Sequence, residues 1–139
     1  MSTSGSELGL RYEWGLEALM EASELARGYF WGADLNVQYK GDDSPVTVAD
    51  RAVEEKFREL LAKEFPNDGI QGEEFPEKLP EGKFKWIIDP IDGTFSFIHG
   101  VPLWGSLLAL EFEGEVVAGW AYMPEPVSYT HLTLPTKRI

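Results

Sequence analysis

The stretch that decides the fold is Trp86-Ile87-Ile88-Asp89-Pro90-Ile91-Asp92-Gly93-Thr94. The apolar residues before Asp89 predict a strand that ends at this aspartate. Pro90 restricts φ and Gly93 lets the backbone turn, so that the Asp89 carboxylate and the Asp92 carboxylate can reach one cavity. Carboxylates and a backbone carbonyl are oxygen ligands of the kind that Mg²⁺ binds. The alternative is a tight turn in which both aspartates only cap backbone N–H groups.

Two amphipathic helices are predicted before this stretch. Apolar residues recur at helical spacing over residues 10–30 and again over residues 47–64. The turn sequence Pro66-Asn67-Asp68-Gly69 ends the second helix, and residues 31–46 are rich in turn-forming residues. We therefore expect two helices joined by an irregular segment.

The other regular elements are predicted to be strands. Residues 84–88 form the first, and two apolar, partly β-branched runs follow at residues 104–112 and 115–123. The dipeptide Glu113-Gly114 between these runs is typical of a hairpin turn. The segment 69–74 is too short to classify by periodicity. The order helix, helix, strands predicts an α+β fold with a helix pair packed on a mainly antiparallel sheet.

The composition is that of a folded, acidic protein. The 139 residues are 43% hydrophobic and include five Trp, which is enough for one packed core. The net charge of −12 disfavours binding to nucleic acids or to an anionic membrane surface, and the lack of cysteine excludes disulfides and thiol nucleophiles. Residues 1–9 lack the features of a signal peptide, and no apolar run reaches the roughly 18 residues of a membrane span. We expect a cytoplasmic protein whose residues 1–9 are flexible.

Several polar residues indicate chemistry only in combination. Thr47 and Asp50 form an [ST]-x-x-[DE] pattern at the start of the second helix, which by itself is a capping box. Glu73 and Glu74 are adjacent acids on a strand end or loop, and such pairs are commonly solvated. Lys40 lies in a Gly/Asp loop where a surface position is the simple interpretation.

Thr94 offers a similar choice. It follows Gly93 and precedes residues 95–98, a predicted helical turn whose first N–H groups would bind an anion such as phosphate. The Thr94 hydroxyl would then orient a water molecule. An ordinary helix N-cap without chemistry explains the same residues.

These motifs occur together in a characteristic order and spacing: Lys40, residues 45–50, residues 72–74 and residues 86–94. In this the chain resembles the inositol monophosphatase superfamily over about residues 10–126. Residues 95–107, FSFIHGVPLWGSL, are more similar to the histidinol-phosphatase branch than to the inositol branch, which commonly has Asn where Ser96 stands.

The resemblance implies two magnesium ions. A first ion would be bound by Glu73, Asp89 and the carbonyl of Ile91. A second would be bound by Asp89 and Asp92, with Mn²⁺ as an alternative metal.

The resemblance also implies how water and substrate are held. Thr94 and Glu73 would position and activate the attacking water, with Asp50 hydrogen-bonded to Thr94. The N–H groups of Gly93 and Thr94 would bind the phosphate. Two further residues, Lys40 and Thr47, would contact these groups without binding the metal or the substrate themselves.

The implied activity is Mg²⁺-dependent hydrolysis of a phosphate monoester, with histidinol phosphate, an intermediate of histidine biosynthesis, as the first candidate substrate. One alternative is a phosphatase of the same superfamily for inositol-1-phosphate or another sugar or nucleotide phosphate. Another is a non-catalytic metal-binding or interaction domain. The resemblance further implies a small phosphorylated metabolite as partner and a homodimer for the full-length protein. Neither nucleic acid nor membrane is expected as a partner, because of the negative net charge.

The end of the chain differs in composition from the rest. Residues 127–139 contain no acidic residue, are rich in Thr, Leu and Pro, and end in basic residues. We expect that a longer reading frame was cut near Pro126 and completed by unrelated residues, the alternative being an ordinary exposed terminus. Superfamily members are much longer and supply a further Asp, in a Trp-Asp motif, to the second metal. We therefore expect the 139-residue chain alone to be an incomplete, inactive catalyst.

Overall fold

The computed structural model describes residues 4–31, 45–92 and 104–124. Two helices precede four strands in the chain: α1 (Ser4–Trp31), α2 (Pro45–Glu64), β1 (Gly69–Gln71), β2 (Phe84–Asp92), β3 (Gly105–Phe112) and β4 (Glu115–Tyr122). The strands form one sheet in the order β1-β2-β3-β4, in which β1 is parallel to β2 and the other neighbours are antiparallel. The predicted α+β fold, with a helix pair on a mainly antiparallel sheet, is confirmed.

The core lies between the helix pair and one face of the sheet. Trp86 of β2 is fully buried, and its ring centroid lies 5.3 Å from Trp14 of α1, 5.8 Å from Phe57 of α2 and 5.8 Å from Trp120 of β4. Such ring pairs contribute about 1 kcal/mol each beyond the burial of their area. The aromatic residues of both helices and of two strands therefore share one cluster.

A buried ion pair joins α1 to the turn before β1. Arg11 donates from Nε and Nη2 to the Asp68 carboxylate at 2.7 Å each, and the Trp86 indole N–H donates to the same carboxylate at 2.9 Å. The guanidinium carbon of Arg11 lies 4.2 Å from the ring centroid of Phe65 and 3.9 Å from that of Phe84. This arrangement fixes where β1 begins and, through β1, the loop that follows it.

Three elements are longer than predicted, and α2 is so by only two residues, since it begins at Pro45. Helix α1 begins at Ser4 and not near residue 10, so residues 4–9, expected to be flexible, are helical; Leu8 packs against the core, and the Arg11 guanidinium binds the Glu7 carbonyl. Strand β2 does not end at residue 88 but continues to Asp92. The register shifts between Asp89 and Asp92, so a bulge accommodates the missing N–H of the intervening proline.

The hairpin is confirmed at the predicted dipeptide. Phe112 pairs with Glu115, and the two residues between them both have positive φ, 51° at Glu113 and 87° at Gly114. Two consecutive positive φ values are the requirement of a type I′ turn, whose twist suits antiparallel strands. Neither of the two described helices is sufficiently long and apolar to span a membrane.

Candidate metal centre

Five acidic side chains from three parts of the fold influence one another electrostatically: Asp50, Glu73, Glu74, Asp89 and Asp92. Asp50 lies near the start of α2, the two glutamates follow β1, and the last two aspartates lie in the final part of β2. Because β1 is parallel to β2, with Gln71 paired to Ile87, the residues after β1 lie beside the end of β2. The topology thus brings three separate acidic motifs to one edge of the sheet.

The tightest group consists of Asp50, Glu73 and Glu74. One carboxylate oxygen from each lies within 4.8 Å of the others, a spacing at which a single cation can bind all three. Asp50 is 6% exposed, whereas Glu73 is on the solvent side of the group. The group therefore has a buried floor and an open side from which an ion or a substrate can approach.

The surroundings of this centre disfavour the ionised form of its carboxylates. Burial, as the largest cause, and neighbouring negative charges together raise the pKa of the Asp50 carboxyl from 3.8 to about 8. In decreasing order of effect these charges are Glu74, Glu73 and Asp89. The backbone N–H of Ile91 acts in the opposite direction by hydrogen-bonding the carboxylate. Without a cation, Asp50 is thus mostly protonated at neutral pH.

The pKa values of Glu73 and Asp89 are raised as well. Burial is the largest cause in both. For Glu73 the next cause is the charge of Asp89, and for Asp89 it is the charge of Asp92. The mutual repulsion links the β2 aspartates to the group on α2 and after β1, so all of these side chains belong to one centre.

Two buried oxygens of this centre lack a hydrogen-bond partner in the part of the chain that the structure describes. They are Oδ1 of Asp50 and Oδ1 of Asp89. Buried carboxylate oxygens are normally hydrogen-bonded or bound to an ion, because their desolvation is otherwise uncompensated. The donor set consists of carboxylate oxygens, which suits hard cations such as Mg²⁺, Mn²⁺ or Ca²⁺. The residues present therefore fit a divalent metal.

The bulge in β2 orients the peptide between Pro90 and Ile91. The Ser106 hydroxyl donates to the Pro90 carbonyl at 2.6 Å, and the Ser23 hydroxyl lies 2.8 Å from that of Ser106. In a trans peptide the C=O and N–H groups point in opposite directions. The Ile91 N–H accordingly points away from Ser106, and it hydrogen-bonds the carboxylates of Asp50 and Asp89.

The structure brings together several of the predicted site residues, although their chemical roles stay predictions. Asp50, Glu73, Asp89 and Asp92 share the centre described above, and Ile91 contributes its backbone N–H; its carbonyl stays a predicted metal ligand. Three predicted residues lie outside the described residues: Lys40, Gly93 and Thr94. The backbone of Thr47 lies in the first turn of α2, and its side chain is likewise outside the described part.

Sequence reasoning missed two residues of this centre. Glu74 is not a predicted metal ligand, yet its carboxylate lies with those of Asp50 and Glu73. Glu54 is not among the predicted site residues, yet it is fully buried and accepts hydrogen bonds from the loop after β1. The signal for Glu54 was its helical spacing, four residues after Asp50 and four before Arg58.

The fold and this acidic centre describe an α+β protein with a site suited to divalent cations. The chain belongs to the inositol monophosphatase family, whose sequence model matches residues 11–134. That match continues past residue 126, the position near which unrelated residues are predicted from the sequence to begin.

Individual relatives agree with this assignment. The chain is 50% identical over 109 residues to a histidinol-phosphatase of Chlorobaculum parvum, covering 78% of this chain and 42% of the relative. It is 46% identical over 103 residues to a histidinol-phosphatase of Mycobacterium tuberculosis, a match that covers 74% of this chain and 40% of the relative. It is 40% identical over 111 residues to an inositol-1-monophosphatase of Rhizobium meliloti, and this match covers 78% of this chain and 42% of the relative. The chain thus spans 40–42% of the length of these relatives.

Solved structures show the same architecture. An inositol monophosphatase from Zymomonas mobilis superposes with a TM-score of 0.70 at 32% identity, covering 99% of this chain and 50% of that one. The extragenic suppressor protein suhB from Bartonella henselae gives a TM-score of 0.70 at 31% identity, covering 85% and 45%.

Proposed function

We propose that the protein to which this chain corresponds is a Mg²⁺-dependent phosphomonoesterase, and that its substrate is histidinol phosphate. This proposal rests on carboxylates that come together from three places: helix α2, strand β2 and the loop that follows β1. Among the described residues, one buried oxygen of Asp50 and one of Asp89 have no hydrogen-bond partner. The names of the relatives from Chlorobaculum parvum and Mycobacterium tuberculosis support the choice of substrate.

The residues that would hold the metal are Glu73, Asp89 and Asp92, with the Ile91 carbonyl as predicted. The position of Glu74 beside Asp50 makes it a further candidate. When bound, Mg²⁺ lowers the pKa of a coordinated water and offsets the negative charge of the phosphate. Mn²⁺ suits the same ligands.

The protein's own groups would manage protons and orientation. The Glu73 carboxylate lies on the solvent side of the centre and would accept the proton of the attacking water. Asp50 would be held in place by the Ile91 N–H and would in turn orient the predicted water-positioning residue, Thr94. The backbone N–H groups of Gly93 and Thr94 would bind the phosphate oxygens.

A second substrate class has a specific observation in its favour. The relative from Rhizobium meliloti is an inositol-1-monophosphatase, and it shares 40% identity with this chain. Inositol-1-phosphate, or another sugar or nucleotide phosphate, is therefore the alternative substrate. A non-catalytic metal-binding or interaction role is the alternative outside enzymes.

The 139-residue chain by itself is proposed to be a poor catalyst. Its span of 40–42% of the relatives leaves most of their length without a counterpart here. Loss of one transition-state contact commonly lowers kcat by about 10²–10³. A full-length protein is further proposed to act as a homodimer on a small phosphorylated metabolite.

The test is phosphate release by a full-length form and by the 139-residue chain, measured side by side with histidinol phosphate and inositol-1-phosphate. The proposal expects a higher kcat/KM for histidinol phosphate, loss of activity in EDTA, and recovery with Mg²⁺. A preference for inositol-1-phosphate would refute histidinol phosphate as the substrate, while the proposed phosphatase reaction would still stand. Activity that persists in EDTA would refute metal dependence, and equal rates for the two forms would refute the inactivity of the shorter chain. Sedimentation of the full-length form would test the homodimer.

A further inference from the structure

We propose that Glu54 is a positioning residue, whose buried carboxylate fixes the loop that presents Glu73 and Glu74 to the metal centre. The inference rests on the proposed function, because it assigns a role within the same site. It concerns a residue that binds no metal or substrate itself.

The Glu54 carboxylate is the point at which the loop is attached to α2. Its Oε1 accepts the backbone N–H of Glu73 at 3.0 Å and the backbone N–H of Glu74 at 2.9 Å. Two consecutive N–H groups bonded to one oxygen fix the orientation of the peptide units between them. The directions in which the two glutamate side chains leave the backbone are thereby fixed relative to α2.

Arg58 holds the Glu54 carboxylate from its other side. Its Nε and Nη2 lie 3.0 Å and 2.9 Å from Oε2 of Glu54, and Nη2 also donates to the Phe75 carbonyl at 3.3 Å. The guanidinium therefore neutralises a carboxylate that is fully buried and at the same time binds the loop just beyond Glu74. The pair contacts the loop at three successive residues, from Glu73 to Phe75.

Gly72 shows how closely the loop passes over this carboxylate. A Cβ atom at position 72 would collide with the Glu54 carboxylate group. The close approach requires glycine at this position, and it leaves no room for a water molecule between loop and carboxylate. The contact is therefore direct.

Helix α2 carries both a residue of the acidic group and the residues that hold the loop. Asp50, Glu54 and Arg58 follow at intervals of four, so they lie along one side of the helix. Asp50 contributes an oxygen to the acidic group while Glu54 fixes the two loop glutamates, which lie within 4.8 Å of Asp50. The relative positions of all three carboxylates are thus set by one rigid helix.

Two conservative variants separate geometry from charge. Glu54→Gln keeps an acceptor oxygen within reach of both N–H groups but removes the charge. Glu54→Asp keeps the charge but withdraws the oxygens by one methylene group. Glu54→Ala removes both, and Glu55→Ala, which removes the neighbouring exposed acid, is the matched control.

The experiment uses the complete 139-residue chain and has two readouts. Amide hydrogen exchange at Glu73 and Glu74 is measured by NMR without metal, and Mn²⁺ binding is measured by electron paramagnetic resonance, both well below the unfolding midpoint of each variant. We expect Glu54→Asp and Glu54→Ala to lose amide protection at these two residues and to bind Mn²⁺ about 10- to 100-fold more weakly, the range found when the groups that support metal ligands are removed. Glu54→Gln should stay closer to the unmodified chain than Glu54→Asp, and Glu55→Ala should match the unmodified chain.

The reverse order, with Glu54→Gln more damaging than Glu54→Asp in both readouts, would overturn the inference in favour of a purely electrostatic role. Unchanged amide protection in Glu54→Asp would also overturn it. If Glu54→Ala does not fold, the comparison of Glu54→Gln with Glu54→Asp still tests whether Glu54 positions the loop. If the unmodified chain does not bind Mn²⁺, the predicted metal ligands do not suffice in this chain, whereas metal-free amide exchange still decides whether Glu54 holds the loop.

Discussion

The hydroxyl of Ser106 donates a 2.6 Å hydrogen bond to the carbonyl oxygen of Pro90, within the β2 bulge. Because the Ile91 N–H belongs to the same peptide unit, this contact orients the donor that serves the Asp50 and Asp89 carboxylates. A buried serine of β3 thus orients the peptide group that hydrogen-bonds two carboxylates of the candidate metal centre.

The first prediction concerns this contact. Ser106→Ala should destabilise the fold by about 1–3 kcal/mol, since it leaves a buried carbonyl without its donor. It should also weaken Mn²⁺ binding, because the Pro90–Ile91 peptide is freed to rotate. Urea unfolding and calorimetric titration would measure the two effects. Ser23→Ala, which keeps the bond from Ser106 to Pro90, is the control and should lose stability while retaining metal affinity; equal loss of affinity in both variants would contradict the prediction.

The second prediction concerns the β2 aspartates. Asp89→Asn should abolish the heat of Mg²⁺ or Mn²⁺ binding to the 139-residue chain, because the Asp89 carboxylate is predicted to serve both ions. Asp92→Asn should weaken binding less, because Asp92 is predicted to serve only the second ion. Glu81→Gln, an exposed acid outside the centre, supplies the control in the same titration. Undiminished binding by Asp89→Asn would remove the proposed site.

The third prediction concerns pH. The pKa of Asp50 is raised in the folded chain, from 3.8 to about 8, so the folded state keeps a proton that the unfolded state has lost. Stability without metal should therefore fall as pH rises through this interval. Urea unfolding in EDTA between pH 5 and pH 8 should show a smaller fall for Asp50→Asn, which cannot ionise. Identical pH dependence in both proteins would show that Asp50 is not the group responsible.

The fourth prediction concerns the buried ion pair between α1 and the turn before β1. Arg11→Ala should destabilise the fold by about 3–5 kcal/mol, because the Asp68 carboxylate would remain buried without its cation. Arg27→Ala is the matched control; its ion pair with Glu24 is exposed, and its loss should cost less than about 1 kcal/mol. The free energy of unfolding in urea measures both. Similar small losses would mean that Asp68 is neutralised in another way.

Local sequence determined those elements whose signals lie within a few residues. The hairpin turn at Glu113-Gly114 was predictable because positive φ at two successive positions depends on the residues themselves. The two helices and the strand before Asp89 were predictable from their periodicity. The acidic motifs at residues 72–74 and 89–92 could likewise be recognised as candidates, and their order and spacing indicated the family that the comparisons confirm.

Only the tertiary structure decided which of these motifs meet and what holds them. The three-residue strand β1 is too short for any period, yet its parallel pairing with β2 places Glu73 beside Asp89. The extension of β2 beyond Pro90 depends on a bulge whose carbonyl is bound by Ser106, a partner 16 residues away in the chain. Glu54 is an unremarkable helical acid in the sequence; its role arises because a loop 19 and 20 residues later brings two N–H groups to its carboxylate. These contacts join distant parts of the chain, so their free energy depends on packing that no local pattern of residues encodes.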